Sequence, residues 1–229
     1  KSLPRGEKIR IKDKSTYQKG ILELNKVRLY IMKTKRLKRF IYSFFVDSMA
    51  VQTIMLVAVY FGTKEVNWGE GANAKMGLII GVLLIQLIAI PGAILLSKIS
   101  KFKGNLFALK LVVFIWILLC LSALLVYEPI HFYLISGFVG LVMGGIQSLS
   151  RSTYSKYIPS GTKDTSSFFS FYDISEKLGI VIGMFSYGFI EQVTGSMRNS
   201  IVALVVFFIV GLLLLFQVPK EEISIESYG

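Results

Sequence analysis

The chain has 229 residues, of which 53% are hydrophobic, and it carries a formal net charge of +12. Residues 1–39 hold 14 of the 26 Lys and Arg residues and only 3 of the 14 acidic ones, so nearly all the excess charge precedes the apolar part of the chain. A basic segment in that position is typical of the cytoplasmic flank of a membrane protein. No aromatic platform or binding motif of a nucleic-acid-binding protein accompanies it, which argues against that class.

The first element in chain order is a candidate amphipathic helix within this basic arm. Apolar residues recur at helical spacing among the Lys and Arg residues, at Ile21, Leu24, Val27 and Ile31. The pattern fits a helix that lies along the membrane surface, where anionic headgroups attract its basic side chains. A solvated basic linker explains the same segment equally well.

Six apolar stretches follow, joined by short polar links. They are Phe40–Phe61, Met76–Leu96, Leu106–Tyr127, Phe132–Leu149, Phe168–Ile190 and Ile201–Val218. Each is close to the ~20 residues that carry an α-helix across a hydrocarbon layer. Because lipid offers the backbone no hydrogen-bond partner, such stretches must be helical. The sequence predicts an all-α, polytopic membrane protein with an arm (1–39), a six-helix transmembrane part (40–219) and a cytoplasmic tail (220–229).

The positive residues predict the topology. The arm, the links 97–105 and 150–167 and the tail together carry 21 Lys and Arg residues, whereas the other three links carry 3. This asymmetry predicts that both termini are cytoplasmic. From the even number of spans we expect two three-helix repeats related by inverted topology.

Three charged residues interrupt the fifth span. Asp173, Glu176 and Lys177 fall on one face of a helix. Ionisable groups inside a membrane are expensive and therefore suggest a functional site. The alternative is a structural ion pair between Lys177 and one of the two acids.

Small residues form neighbouring faces of the fourth and fifth spans. They predict close helix packing, at Gly137, Gly140, Gly144, Gly179 and Gly183. Gln147 and Arg151 continue the small face of the fourth span, and Tyr172 joins that of the fifth. We therefore interpret these three residues as parts of the same transport path, with a positive-inside anchor as the simpler role of Arg151.

Asp47 is the acid of the first span, about 10 Å past Phe40 along the helix axis. Asp173 and Glu176 lie at a similar depth, which predicts that all these charges are in the cytoplasmic third of the membrane. Gln52 is about 140° from Asp47 around the helix and is therefore not expected to share its site. We expect a gate in which Arg151 engages Asp173 or Glu176, with solute contact at the deeper small residues. An isolated protonated acid is the simpler interpretation of Asp47.

Enzymatic chemistry finds no support in the sequence. A single His and a single Cys leave no metal-ligand set. The chain has no Gly-rich phosphate loop and no Gly-x-Ser-x-Gly nucleophile elbow. We therefore expect a protein that is not an enzyme and needs no cofactor or metal.

The span pattern and several motifs resemble known transporters. Six spans behind a basic arm resemble the second half of a major facilitator superfamily transporter, and Ala93–Lys101 resembles that superfamily's Gly-x-Leu-Ala-Asp-Arg-x-Gly-Arg loop, with Ser97 in place of Asp. The strings at 144–152, 168–179 and 194–198 resemble the autophagy-related vacuole effluxer group and its bacterial relatives. Gln147–Ser152, which reads Gln-Ser-Leu-Ser-Arg-Ser, is the most specific part.

This resemblance implies a function and a partner. It implies efflux of amino acids or similar small solutes by alternating access, in a vacuolar-type membrane of a eukaryote or the plasma membrane of a bacterium. It also implies a partner, an N-terminal six-helix half from the same precursor or a separate chain. A non-transporting membrane scaffold, which uses the glycine faces and the basic arm to bind partners and lipid, is the competing hypothesis.

Overall fold

The computed structural model describes residues 14–69, 74–159, 162 and 165–219. Within these ranges the chain forms seven α-helices and no strand. They are α1 (Lys14–Lys33), α2 (Lys35–Glu65), α3 (Ala74–Lys103), α4 (Asn105–Ala123), α5 (Pro129–Tyr157), α6 (Thr165–Thr194) and α7 (Met197–Phe216). The start of the arm and the expected tail, 220–229, lie outside the described residues.

The amphipathic segment of the arm is helix α1. Its residues Val27 and Ile31 are 3% and 0% exposed, whereas Ile21 remains 65% exposed. The buried side packs against α6 and α2, and the ring of Tyr30 meets that of Phe168 edge-on at 5.6 Å. The apolar face of α1 therefore covers the start of α6. The last basic residues of the arm, from Lys35 onward, already belong to helix α2.

Five of the helices, α2, α3, α4, α5 and α7, are long and apolar enough to cross a membrane. Helix α6 has 30 residues, but the charged residues of the fifth span dilute its hydropathy. It packs against both α2 and α7 and so lies within the same bundle. The described part of the chain is an all-α, polytopic membrane protein, as the sequence predicts.

The helix pairing repeats itself across the bundle. Helix α2 packs on α6 and α7, in the same way as α5 packs on α3 and α4. The contacts of α3 with α4 and of α6 with α7 correspond, and α4 also meets α7. Exchanging α2 with α5, α3 with α6 and α4 with α7 leaves these contacts unchanged, as expected of two inverted three-helix repeats; the smaller contact of α2 with α3 has no counterpart of similar extent between α5 and α6.

Glycine allows α6 to approach the backbone of α2. A Cβ atom at Gly183 would overlap the carbonyl oxygen of Met49, and one at Gly179 would overlap the hydroxyl of Ser48. Without a side chain on α6, the two backbones meet directly and no lipid or solute fits between them.

Helices α5 and α3 meet in the equivalent way. A Cβ atom at Gly140 or Gly144 would come within 3 Å of the carbonyl oxygens of Ile85 or Ala89. Gly137 has more room, with the Ile88 side chain 3.3 Å from the position of its Cβ. The small residues thus lie in helix crossings, as the packing prediction requires, whereas solute contact at the deeper ones stays a prediction.

Replacing Gly183 with Ala should destabilise the protein by roughly 1–3 kcal/mol, because the added methyl group forces α6 away from Met49. Thermal unfolding in detergent measures the effect. Gly188→Ala is the matched control, since nothing lies within 4 Å of its Cβ position on the same helix. Equal unfolding midpoints for the two variants would contradict the close approach of α6 to α2.

Arg198, at the start of α7, ties together the end of the bundle opposite the basic links. Its Nε lies 2.8 Å from Oε2 of Glu65, and its Nη atoms donate to the carbonyl oxygens of Leu124 and Val126. Its guanidinium also lies 4.1 Å from the ring centroid of Tyr127. One side chain therefore satisfies carbonyls just beyond α4 and links them to α2 and α7.

Arg198→Ala should lower the stability by about 2 kcal/mol, because it removes charged hydrogen bonds from partly buried acceptors. Lys64→Ala removes a cation from an exposed position at the same end of α2 and should leave the unfolding midpoint nearly unchanged. A midpoint for Arg198→Ala equal to that of Lys64→Ala would show that these bonds do not stabilise the fold.

Candidate functional site

A cavity of about 320 Å³ lies between α2, α5 and α6. The close crossing of α6 on α2 positions two of its walls, and α5 supplies the third. Five of the seven charged or polar residues predicted for the transport path line it, namely Asp47, Gln147, Arg151, Tyr172 and Glu176. Asp173 joins it through Arg151, whereas Lys177 does not line it.

The ion pair of the cavity joins α5 to α6. Nη1 of Arg151 lies 3.6 Å from Oδ1 of Asp173, and the two side chains are 56% and 48% exposed. The guanidinium also lies 5.2 Å from the ring centroid of Phe169 and 6.0 Å from that of Tyr172. An ion pair this exposed contributes little to stability, so it can separate or exchange partners at low cost. It is the contact expected of the gate, and its role in gating stays a prediction.

Gln52 pairs with the second acid, Glu176, at a distance of 2.6 Å from Nε2 to Oε1. A short hydrogen bond of this kind to a carboxylate is charge-assisted and strong. Gln52 lies 17 residues after the start of α2 and 13 before its end, so the contact is near the middle of that helix. Glu176 lies 11 residues after the start of α6 and 18 before its end, and its depth in the membrane stays a prediction.

Gln52 belongs to this site, although its angle from Asp47 around the helix predicts that the two do not share one. It lines the same cavity as Asp47, although the two are far apart around the helix, because the cavity wraps around α2. The available signal was an amide in the middle of an apolar span, which by itself suggests a functional position.

Contacts between aromatic rings join the three helices that line the cavity. Tyr172 is 4% exposed and stacks on Phe44 of α2 with a centroid distance of 4.0 Å. Its ring also lies 5.0 Å from that of Tyr154 on α5, whose hydroxyl donates to the carbonyl of Phe168 at 2.8 Å. Stacked rings and this hydrogen bond join the three helices around the polar groups.

Asp47 is more buried than the other acids, with 8% exposure. The Ser43 hydroxyl lies 2.8 Å from the carbonyl oxygen of Gly211 and 3.2 Å from Oδ2 of Asp47. Within the described residues, Oδ1 of Asp47 has no hydrogen-bond partner. Because a hydroxyl has one proton, a Ser43 that donates to Gly211 can bond a protonated Asp47 as acceptor. A neutral carboxyl also avoids the penalty of an unpaired buried charge.

Lys177 is exposed on α6. The described residues include no ion pair between Lys177 and Asp173 or Glu176. Asp173 pairs with Arg151 instead. Leu178, Val181 and Phe185, also on α6, are 53%, 65% and 72% exposed, as expected of a surface that meets lipid or another helical unit.

Arg151→Ala should open the end of the cavity that the Arg151–Asp173 pair borders, because it removes the ion pair that joins α5 to α6 there. A cysteine placed at exposed Ser148, in a Cys120→Ala background, should react faster with a water-soluble thiol reagent when Arg151 is removed. Lys177→Ala, which removes a cation outside the cavity, is the control. The exchange Arg151→Asp with Asp173→Arg should restore slow labelling. If the cysteine at position 148 reacts at the same rate in Arg151→Ala, Arg151 is a topology anchor and not part of a gate.

Comparison with known proteins places these features in a family. The model of the family described as "Vacuole effluxer Atg22 like" matches residues 1–226. An uncharacterised MFS-type transporter of Bacillus subtilis, YxiO, is 28% identical over 181 residues, which cover 79% of this chain and 40% of YxiO. Autophagy-related protein 22 of Saccharomyces cerevisiae is 25% identical over 191 residues, covering 79% of this chain and 34% of that protein.

Autophagy-related protein 22 of Pichia angusta is similarly related, at 25% identity over 186 residues, which cover 76% of this chain and 32% of that protein. The chain thus spans between a third and two fifths of the length of these relatives. No solved structure matches it.

Proposed function

The chain belongs to the Atg22-like vacuole effluxer family, and on that premise we propose that it forms the C-terminal half of a secondary transporter. The transporter exports amino acids or similar small solutes by alternating access. Its two six-helix halves rock against each other around a site near the middle of the membrane.

The observation that carries this proposal is the Gln52–Glu176 pair, near the middle of α2, in a cavity that also holds an exposed cation. Substrate sites of such transporters lie near the bilayer midplane. Arg151 offers a guanidinium to a carboxylate, and Glu176 and Asp173 offer carboxylates to an ammonium group. This set of charges matches the two ends of a zwitterionic amino acid.

The Arg151–Asp173 pair gives the proposed cycle a gate. Because both side chains are about half exposed, water or a charged solute competes for either partner. Closing that end of the cavity keeps the pair together, and opening it separates α5 from α6 there. A second six-helix half supplies the opposite wall.

The scaffold hypothesis receives less support. It uses the glycine faces to bind a partner, but Gly140, Gly144, Gly179 and Gly183 lie against α3 and α2 of this chain. Those faces are occupied by internal packing, whereas the polar cavity remains open.

Glu176→Gln in the full-length transporter should reduce transport about tenfold, because it removes the charge from a strong hydrogen bond. Uptake of radiolabelled amino acids into proteoliposomes measures the rate. Glu191→Gln, the same substitution near the other end of α6, is the control and should transport like the wild type. Residues 1–229 alone should give no saturable flux, since one wall of the path is missing.

Two outcomes would contradict the proposal. If Glu176→Gln takes up amino acids at the wild-type rate, Glu176 is not part of the transport path. Saturable flux from residues 1–229 alone would show that no second half is required.

A further inference from the structure

A second, larger cavity lies at the end of the bundle where α2 begins, α3 turns into α4 and α5 ends. Its volume is about 1060 Å³. Five cations from four helices line it, and no acidic residue is among its described lining residues. These cations are Arg36, Lys101, Lys103, Lys110 and Lys156. We name this cavity the basic groove.

Aromatic rings support three of these cations. The distances from the charged group to the ring centroid are 4.1 Å for Arg36 over Tyr157, 5.0 Å for Lys103 over Phe107 and 4.5 Å for Lys110 over Phe216. A ring attracts a cation and restricts its motion, but it does not neutralise the charge. The groove therefore keeps several like charges close together, an arrangement that an anion would stabilise.

Polar groups complete the lining at the start of α4. Oδ1 of Asn105 accepts hydrogen bonds from Ser100 at 2.6 Å and from Lys156 at 3.0 Å. Residues 104–107 line the groove, and α4 begins there without a side-chain cap. The N–H groups of its first turn, which have no partner within the helix, add the positive end of the helix dipole to the same cavity.

The groove is also partly apolar and reaches into the membrane. Lys110 lies about 7.5 Å along α4 from Asn105, inside an apolar span. Phe107 and Phe216 are 44% and 62% exposed at its edge, and Phe102 beside it is 88% exposed. Exposed aromatic side chains beside cations can contact the acyl chains of a phospholipid whose headgroup the cations bind.

We propose that the basic groove binds a phosphate group, and that the exposed aromatic side chains at its edge select the phosphate of an acidic phospholipid over the free ion. The bound headgroup bridges α2, the α3–α4 turn and the end of α5, and so connects the two three-helix repeats at one end of the bundle.

Ligand-dependent thermal stability of the full-length transporter in neutral detergent tests this proposal. A ligand that binds the folded state raises the unfolding midpoint with concentration, which yields an apparent affinity. Phosphatidylglycerol should raise the midpoint more than phosphatidylcholine. If inorganic phosphate alone gives the same rise, the phosphate site is supported but the selection of a lipid is refuted.

Lys103→Gln and Lys156→Gln should each weaken the apparent affinity for phosphatidylglycerol about fivefold, as expected for one cation near a membrane surface. Lys98→Gln is the matched control, because Lys98 is exposed near the same turn but does not line the groove. Its affinity should stay within about twofold of the wild type, since only diffuse attraction is lost.

Unfolding midpoints measured without lipid establish whether all three variants remain folded. An equal loss of affinity in Lys98→Gln would mean diffuse attraction to a basic surface and would overturn the proposal. So would equal effects of phosphatidylglycerol and phosphatidylcholine on the wild type.

Discussion

The direct approach of helix backbones at glycine positions sets the geometry on which the rest of this bundle depends. In a membrane the hydrophobic effect does not drive helices together, so close packing and hydrogen bonding must. At Gly179 and Gly183 the surface of α6 meets the backbone of α2 itself. This crossing fixes the rotation of both helices, and therefore which of their polar side chains face each other across the cavity.

The pairing of Gln52 with Glu176 is one consequence of that rotation. Both lie on helices whose other faces are apolar, and both would be costly if they faced lipid. The crossing turns them toward each other, where one strong hydrogen bond satisfies the amide and part of the carboxylate. The same rotation leaves Lys177 outside the cavity, although it is adjacent to Glu176 in sequence.

The acids of the bundle differ in environment, and this difference separates their possible roles. Asp173 is half exposed beside a cation, whereas Asp47 is buried against Gly211 and, among the described residues, its carboxyl has one hydrogen-bond partner, the Ser43 hydroxyl. An exposed carboxylate stays hydrated and can change partners with little loss of free energy. A buried carboxylate is costly unless it is protonated or paired.

The sequence alone determined which segments of this protein form membrane-spanning helices. Hydropathy and the need for internal backbone hydrogen bonds are local constraints, so the spans, the glycine positions and the charges of the fifth span were predictable. It also narrowed the partners of Arg151 to Asp173 or Glu176. Only the tertiary structure decided that Asp173 is the partner, that Gln52 belongs to the site and that Glu176 lies near the middle of α2. It also assembled the basic groove from four helices. These outcomes depend on the tilt and rotation of one helix against another, which backbone contacts between distant residues set and no local pattern encodes.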